Sequence, residues 1–382
     1  MGWSVNRATG LTFHRPTLST RGYTLLTPHG DTCSYLIDLQ GAVVHRWKFT
    51  HIKPGYGRLT DAGTLLMTGS DVNLPKPPPD EPTKPPPPFE QHITRFGGYH
   101  TTLVEVDWDG NIVWEYVNRA QHHDFHRLAN GNIMVPEWVE LPEDLHSKVR
   151  GGYRKPREKL PRLVGDDLVE ITRDQKEVRR INTWKLLDPV KDPIDRGDRR
   201  WEWTHINGID MNAAGDIVFS ARNCDRVCII DGETGKLRAK FDKTHGQHNP
   251  TWLPNGNIQV FDNGHDSSKV VEIDPAKGGE VVWSYRGSPS QSFFSGHISG
   301  ASRLASGNTL VCEGTSGRLF EVTRGGEVAW EWINPFVNNN SRGDPTVSIY
   351  RAHRYDVDHP ALAGRDLDPA RYGNLNRLNG LA

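Results

Sequence analysis

A unit of about 40 to 50 residues recurs along this chain, and each copy is made of two hairpins. The first hairpin is a strand, a tight polar turn and a second strand: "HHDFHRLANGNIMVPEW" from His122, "THINGIDMNAAGDIVFSAR" from Thr204, "QHNPTWLPNGNIQVFDNG" from Gln247 and "GHISGASRLASGNTLVCEG" from Gly296. The second has an acidic residue near the end of its first strand and often a tryptophan in its second, as in "TTLVEVDWDGNIVWEYV", "KVVEIDPAKGGEVVWSY" and "RLFEVTRGGEVAWEW". Asn-Gly and Gly-rich turns between alternating apolar runs specify antiparallel hairpins, and four strands per repeat is the pattern of a propeller blade.

Five blades are expected near 56–117, 122–185, 205–241, 247–286 and 296–333. The N-terminal "GYTLLTPHGDTCSYLIDLQGAVVHRWKF" supplies strands without a first one, and "SIYRAHRYDVD" from Ser348 is a strand without a partner. Joining them completes a sixth blade and removes the open sheet edges. The expected fold is therefore an all-β, six-bladed propeller closed by pairing the C-terminal strand with the N-terminal hairpins. It forms one domain over 1–382, with an N-terminal extension (1–21), a Pro-rich insertion (72–98), a basic insertion (140–164) and a C-terminal tail (360–382).

Composition agrees. Only 35% of residues are apolar, whereas Gly 38, Pro 26 and Trp 12 are plentiful, which suits many short strands and turns with aromatic wedges between sheets. Lysine plus arginine (46) nearly cancels aspartate plus glutamate (47), so no global field favours nucleic acid or an anionic membrane. The N-terminal "MGWSVNRATGLTFHRP" has no apolar core of signal-peptide length and no segment is apolar enough to span a bilayer; a soluble, cytoplasmic protein is expected. Four cysteines make no disulfide framework, and Cys224 and Cys228 read as buried reduced thiols.

Two insertions interrupt the repeat. "LPKPPPDEPTKPPPPF" must be extended and cannot join a ladder; it reads as a surface loop or a contact with a second subunit, with a lid over the site as the alternative. "ELPEDLHSKVRGGYRKPREKLPRL" begins as a short helix and turns basic.

The first strand of each propeller blade lines the axis, so residues at equivalent positions form a ring. His123 and His248 stand eight residues before their turn glycines, and His205 and His297 stand ten before theirs. Strand side chains alternate with period two, so all four are expected to face the channel in two layers one pleat apart. Asn207 falls level with His123 and His248, and His353 on the closing strand is a candidate fifth histidine. Imidazoles converging on a channel must be satisfied by one another, water or a ligand. His29, His92 and His146 fall in loops, and His265 is placed to reach the channel mouth. Arg222 ends the strand beside His205 and offers a planar fork of donors suited to a sulfate, phosphate or carboxylate.

The ordered set "HHDFH", "HIN" followed by "SAR", and "GQHN", with the turns "LANGN" and "LPNGN", resembles the bacterial arylsulfotransferases that use no nucleotide sulfate donor, from about Gly22 to Phe336. That resemblance implies a six-bladed propeller in which a channel histidine takes a sulfuryl group from a phenolic sulfate and passes it to another phenol. It makes His248 the nucleophile, and His123, His205, Asn207 and Arg222 the groups that hold the sulfuryl oxygens. His297 is then available for phenol proton transfer. No cofactor is expected, and the chain contains no "GxxxxGK[ST]" phosphate loop. The implied partners are a small aryl sulfate and a phenol.

Two other classes use the same pattern. His123, His205, His248 and His297 could instead bind a divalent metal for lyase or oxygenase chemistry, or the propeller could be a non-catalytic binding module.

Overall fold

The turns are built as the repeat demands. In "LANGN" the amide of Gly131 donates to the carbonyl of Leu128 (2.9 Å), and in "LPNGN" Gly256 donates to Leu253 (2.9 Å). Both glycines have positive φ (85° and 82°), a conformation that costs glycine nothing. The computed structural model describes residues 8–73, 88–156, 162–340 and 342–381, and those turns organise them into six antiparallel blades, five of four strands and one of five.

Blade two spans strands from Ile52–Leu59 to Ile112–Val117, blade three His126–Arg127 to Glu177–Asn182, and blade four Ile206–Met211 to Leu237–Phe241. Blade five runs from His248–Trp252 to Glu280–Arg286, and blade six from Gly300–Arg303 to Val328–Ile333. Blade one is composite: the C-terminal strand Ile349–Tyr355 pairs antiparallel with Tyr23–Pro28, placing His353 opposite Leu25. The ring closes as the sequence indicates.

The repeated tryptophans and carboxylates stitch blades together. The indole N–H of Trp47 donates to the Asp107 carbonyl (3.1 Å), Trp114 to Arg173 (2.7 Å), Trp283 to Arg324 (2.9 Å) and Trp330 to Leu39 (2.8 Å), each reaching the outer turn of the next blade. The acidic residue of the third strand works on the inner side of that belt. Glu272 accepts from Asn257 of its own turn (2.8 Å) and pairs with Arg303 (3.0 Å) and Arg324 of the next blade. Glu321 repeats the arrangement with Asn308 (2.7 Å) and Arg354. Pairing and hydrogen bonding offset the cost of burying these carboxylates.

Three features lie outside the repeat. Gly10–His14, within the segment read as an extension, adds a fifth strand to the outer edge of blade six. In the tail, Asn376 caps the outer strand of blade one, accepting from the Val43 amide (2.8 Å) and donating to its carbonyl (3.1 Å). Both devices cover edges that would otherwise template pairing. The basic insertion contributes a helical turn, Glu143–His146, and a strand, Gly151–Tyr153, that pairs in parallel with Ile194–Arg199. Residues 74–87 of the Pro-rich insertion and 157–161 of the basic one lie outside the described residues. Among the described residues no helix is long and apolar enough to cross a membrane. All four cysteines are buried and unpaired.

Candidate active site

The inner strands meet around a polar plug. Arg351 of blade one reaches across to Asp124 of blade three (2.7 Å) and the Asn207 carbonyl of blade four (2.5 Å), and Tyr350 donates to that carbonyl too (3.0 Å). His353 lies beside this plug: its Nε2 accepts from the Tyr56 hydroxyl (2.6 Å), which itself accepts from Arg58 (2.5 Å). Burial, with Arg58 and Arg351 nearby, holds the His353 imidazole well below its ordinary pKa.

His123, His205 and His248 come together next to the plug, by a different route from the one expected. Only His248 lies in a strand; His123 and His205 precede theirs, with φ of 58° and 50°. Bulges between Ile206 and Ile209 and between His248 and Thr251 shift the pairing, so counting alternate residues through to the histidines fails. The left-handed turns aim the rings instead. The rings of His123 and His205 stand 4.5 Å apart, edge to face. His297, three residues before Gly300 rather than inside a strand, is exposed at the rim.

Each of these three histidines has its Nδ1 engaged. In His248, Nδ1 faces Oδ1 of Asn263 (2.7 Å) and the carbonyl of Gly246 (3.0 Å). Both are acceptors, because the Asn263 amide nitrogen donates to the carbonyls of Ser295 (2.6 Å) and Ile298 (3.0 Å). The proton must then sit on Nδ1, leaving Nε2 with a lone pair. Burial, together with the nearby Arg222 charge, pushes the His248 pKa well down despite the opposing bond to Asn263, so the ring is neutral at pH 7. The Nδ1 of His205 lies 2.6 Å from Glu202, whose other oxygen accepts from the Trp138 indole (2.5 Å). The Nδ1 of His123 meets Nδ1 of His122 at 2.8 Å, and Nε2 of His122 lies 3.0 Å from Asp166.

Arg222 sits one residue past its strand, where its amide donates to the His205 carbonyl (3.3 Å). Its Nη1 is held by Asp198 and Asn223 (2.7 Å each); Nε and Nη2 have no partner among the described residues. Asn207 is fully buried: its amide donates to the Gln247 carbonyl (2.9 Å), and its Oδ1 has no partner among the described residues. The end of the Pro-rich insertion presses on the site, because the carbonyl of Gly98 accepts from the His123 amide (3.0 Å) and a Cβ on Gly98 would fall 2.3 Å from the His123 ring.

Among the described residues, the one group of three ligating side chains within 4.8 Å is Asp195, Asp225 and His245, and none of His123, His205, His248 and His297 belongs to it. His265 packs at a tilt against His245 of that group, with ring centroids 3.6 Å apart. His146 bonds to the Leu141 carbonyl (3.0 Å), and His92 is buried against Phe96 and Trp201.

Asn263, His122, Asp166 and Glu202 did not stand out in the sequence, but a signal for one of them was there. Arg222 and Asn263 each follow the turn glycine of their blade by seven residues, as does Trp138, which stacks on His122 (4.1 Å). In blades four and five that position is one residue past the second strand, where the chain leaves the sheet, whereas Trp138 lies inside the longer strand Ile133–Glu140.

Fold and site together define a β-propeller whose inner ends bring His123, His205 and His248 together, with the Arg222 charge beside them. The sequence profile described as Arylsulfotransferase (ASST) matches residues 25–239, more than half of the chain, and the chain belongs to that family. A second profile, described as outer membrane protein assembly factor BamB, matches residues 190–349. No curated protein matches. Among solved structures, a protein of unknown function from Bacteroides caccae is similar at 12% identity and TM-score 0.53, covering 88% of this chain and 99% of the other. Virginiamycin B lyase from Staphylococcus aureus is similar at 13% identity and TM-score 0.44, covering 81% and 86%. The first of these supports the propeller fold.

Proposed function

We propose that the protein transfers a sulfuryl group from an aryl sulfate ester to a phenolic acceptor through a covalent intermediate on His248. The observation that supports this most is the fixed tautomer of His248, a buried neutral imidazole with a free Nε2 lone pair beside a guanidinium. Attack by Nε2 on sulfur forms the N–S bond as the aryl O–S bond breaks, and the electron pair departs on the phenolate oxygen. Arg222, His123 and His205 are donors for the charge gathering on the sulfuryl oxygens and the leaving oxygen. Asn207 contributes its remaining amide hydrogen and its unpartnered Oδ1. A phenol attacking the sulfohistidine completes the cycle. The scheme uses only side chains of the protein, without a cofactor, and its partners are small molecules.

The test is incubation of the full chain with 4-nitrophenyl sulfate and a phenol. Nitrophenolate release is expected. Quenched samples should carry the mass of one sulfuryl group on the peptide containing His248, and His248→Ala should abolish both signals while remaining folded. No turnover across several aryl sulfates by folded protein, or turnover that survives His248→Ala, defeats the reading.

A further inference from the structure

Sulfuryl transfer between phenols needs a proton moved twice, in opposite directions. The departing phenolate must gain a proton in the first half-reaction, and the accepting phenol must lose one in the second. His297, the residue the sequence offered for this, is exposed at the rim and forms no ion pair among the described residues.

A buried chain of groups is better placed. Asp166 is fully buried, and its Oδ2 accepts from the Thr204 hydroxyl (2.5 Å) and the Ile206 amide (2.8 Å). Its Oδ1 faces Nε2 of His122 (3.0 Å), and Nδ1 of His122 faces Nδ1 of His123 (2.8 Å). Trp138 stacks on His122 at 4.1 Å and fixes its plane. Gly98 lies against the His123 ring and holds it in turn. Among the described residues, Nε2 of His123 has no partner. Although burial alone would raise its pKa, the His122 imidazole and these hydrogen bonds hold the Asp166 carboxyl low, so it remains an anion.

We propose that Asp166, His122 and His123 form a proton relay in which His123 is the general acid of the first half-reaction and the general base of the second. The inference rests on the transfer reading above. With a proton on each nitrogen of His122, Nδ1 of His122 donates to Nδ1 of His123, and His123 carries its proton on Nε2. As the aryl O–S bond breaks, that Nε2 proton goes to the phenolate oxygen and the His122 Nδ1 proton moves to Nδ1 of His123. His122 is left neutral, with its Nε2–H still facing Asp166 at 3.0 Å. His123 now has a lone pair on Nε2. When the second phenol attacks sulfur, its proton goes to that Nε2, the Nδ1 proton returns to His122, and the N–S bond breaks back onto neutral His248. No proton or electron is unaccounted for, and no outside reactant is needed.

His123 touches the substrate; His122 and Asp166 act through it as positioning residues. Their signature is the dependence of rate on the leaving group. Nitrophenolate departs near neutral pH with little need of a proton, whereas phenolate from phenyl sulfate is far more basic. The experiment compares kcat/KM for both esters in wild type, Asp166→Asn, His122→Asn and the double variant. The relay predicts a loss on the order of a hundredfold for phenyl sulfate and only a few-fold for 4-nitrophenyl sulfate. It also predicts that the double variant is no worse than the singles, because the groups act as a unit. Either single variant suffices if the other does not fold. Equal losses on both esters, or no loss on either, overturn the relay while leaving sulfuryl transfer intact. Glu202→Gln, which removes the carboxylate behind His205, is expected to lower both rates in the same proportion. If it instead reproduces the selective loss, the acid is His205 and the relay is wrong. Wild type inert toward both esters defeats the transfer reading itself, and the relay with it.

Discussion

Nδ1 of His248 and Oδ1 of Asn263 lie 2.7 Å apart, and the asparagine amide is held in that sense by two carbonyls behind it. Together with the Gly246 carbonyl, Asn263 thus decides which nitrogen of the His248 ring carries the proton. Asn263→Ala should lower kcat about 10- to 100-fold, the usual scale for a residue that orients a reactive imidazole. KM should change little. Asn263→Asp should retain more activity, since a carboxylate still accepts from Nδ1. Steady-state kinetics with an aryl sulfate checks both.

Arg222 has two consequences that separate experimentally. Its remaining donors suit a sulfuryl group, so Arg222→Ala should raise KM for the ester roughly tenfold or more, the loss of a charge-assisted bond of about 1.5 to 3 kcal/mol. Its charge also helps keep His248 unprotonated. Removing it lets His248 protonate at higher pH, so the acid limb of the kcat/KM profile should move up. A pH–rate profile that does not move would place the guanidinium too far from His248 to matter.

Gly98 is required by its neighbour and by its own backbone. It has φ of 76°, and a Cβ there would overlap the His123 ring. Gly98→Ala should therefore displace His123, lowering turnover of phenyl sulfate more than of 4-nitrophenyl sulfate. Strain at positive φ should cost about 1 kcal/mol or more of stability. Kinetics on the two esters and thermal unfolding test these together.

Acid should destabilise the fold through its buried histidines. Burial pushes His45 down to about 4, although its bond to the Trp108 carbonyl opposes the shift; burial also lowers His92 to about 4 and His100 to about 3. A histidine with a depressed folded pKa binds its proton more readily when unfolded, so stability is full above pH 6.5 and falls as pH drops toward the folded value. Each such group contributes up to about 1.4 kcal/mol per pH unit in that window. Tm should fall from pH 6.5 to 4. His45→Gln should make that fall shallower, even if it lowers Tm at pH 7. A Tm independent of pH in this range would contradict the assignment.

The architecture was legible because a repeat exposes its own logic. Asn-Gly turns fix hairpins locally, and the tryptophans and carboxylates recur because every blade must bond to the next in the same way. Closure followed from an unpaired strand at one end and a missing one at the other. The strand Gly10–His14 was not legible, since an edge strand with no repeat partner looks like any polar extension. Arg222 and Asn263 occupy one position in successive blades, yet only the arginine drew notice, because its charge is informative by itself.

The chain alone determined which side chains could meet: hairpin periodicity and turn chemistry are local, so the blades and the residues at their inner ends are written in neighbouring letters. Tertiary structure decided how they meet. Left-handed turns at His123 and His205 and two bulges reset the alternation that strand counting assumes. The proton on His248 depends on Asn263 after the next strand, itself held by carbonyls of blade six, and the state of His123 depends on Asp166 through His122. Tautomer and protonation are properties of hydrogen-bond networks between segments, and those exist only once the ring has closed.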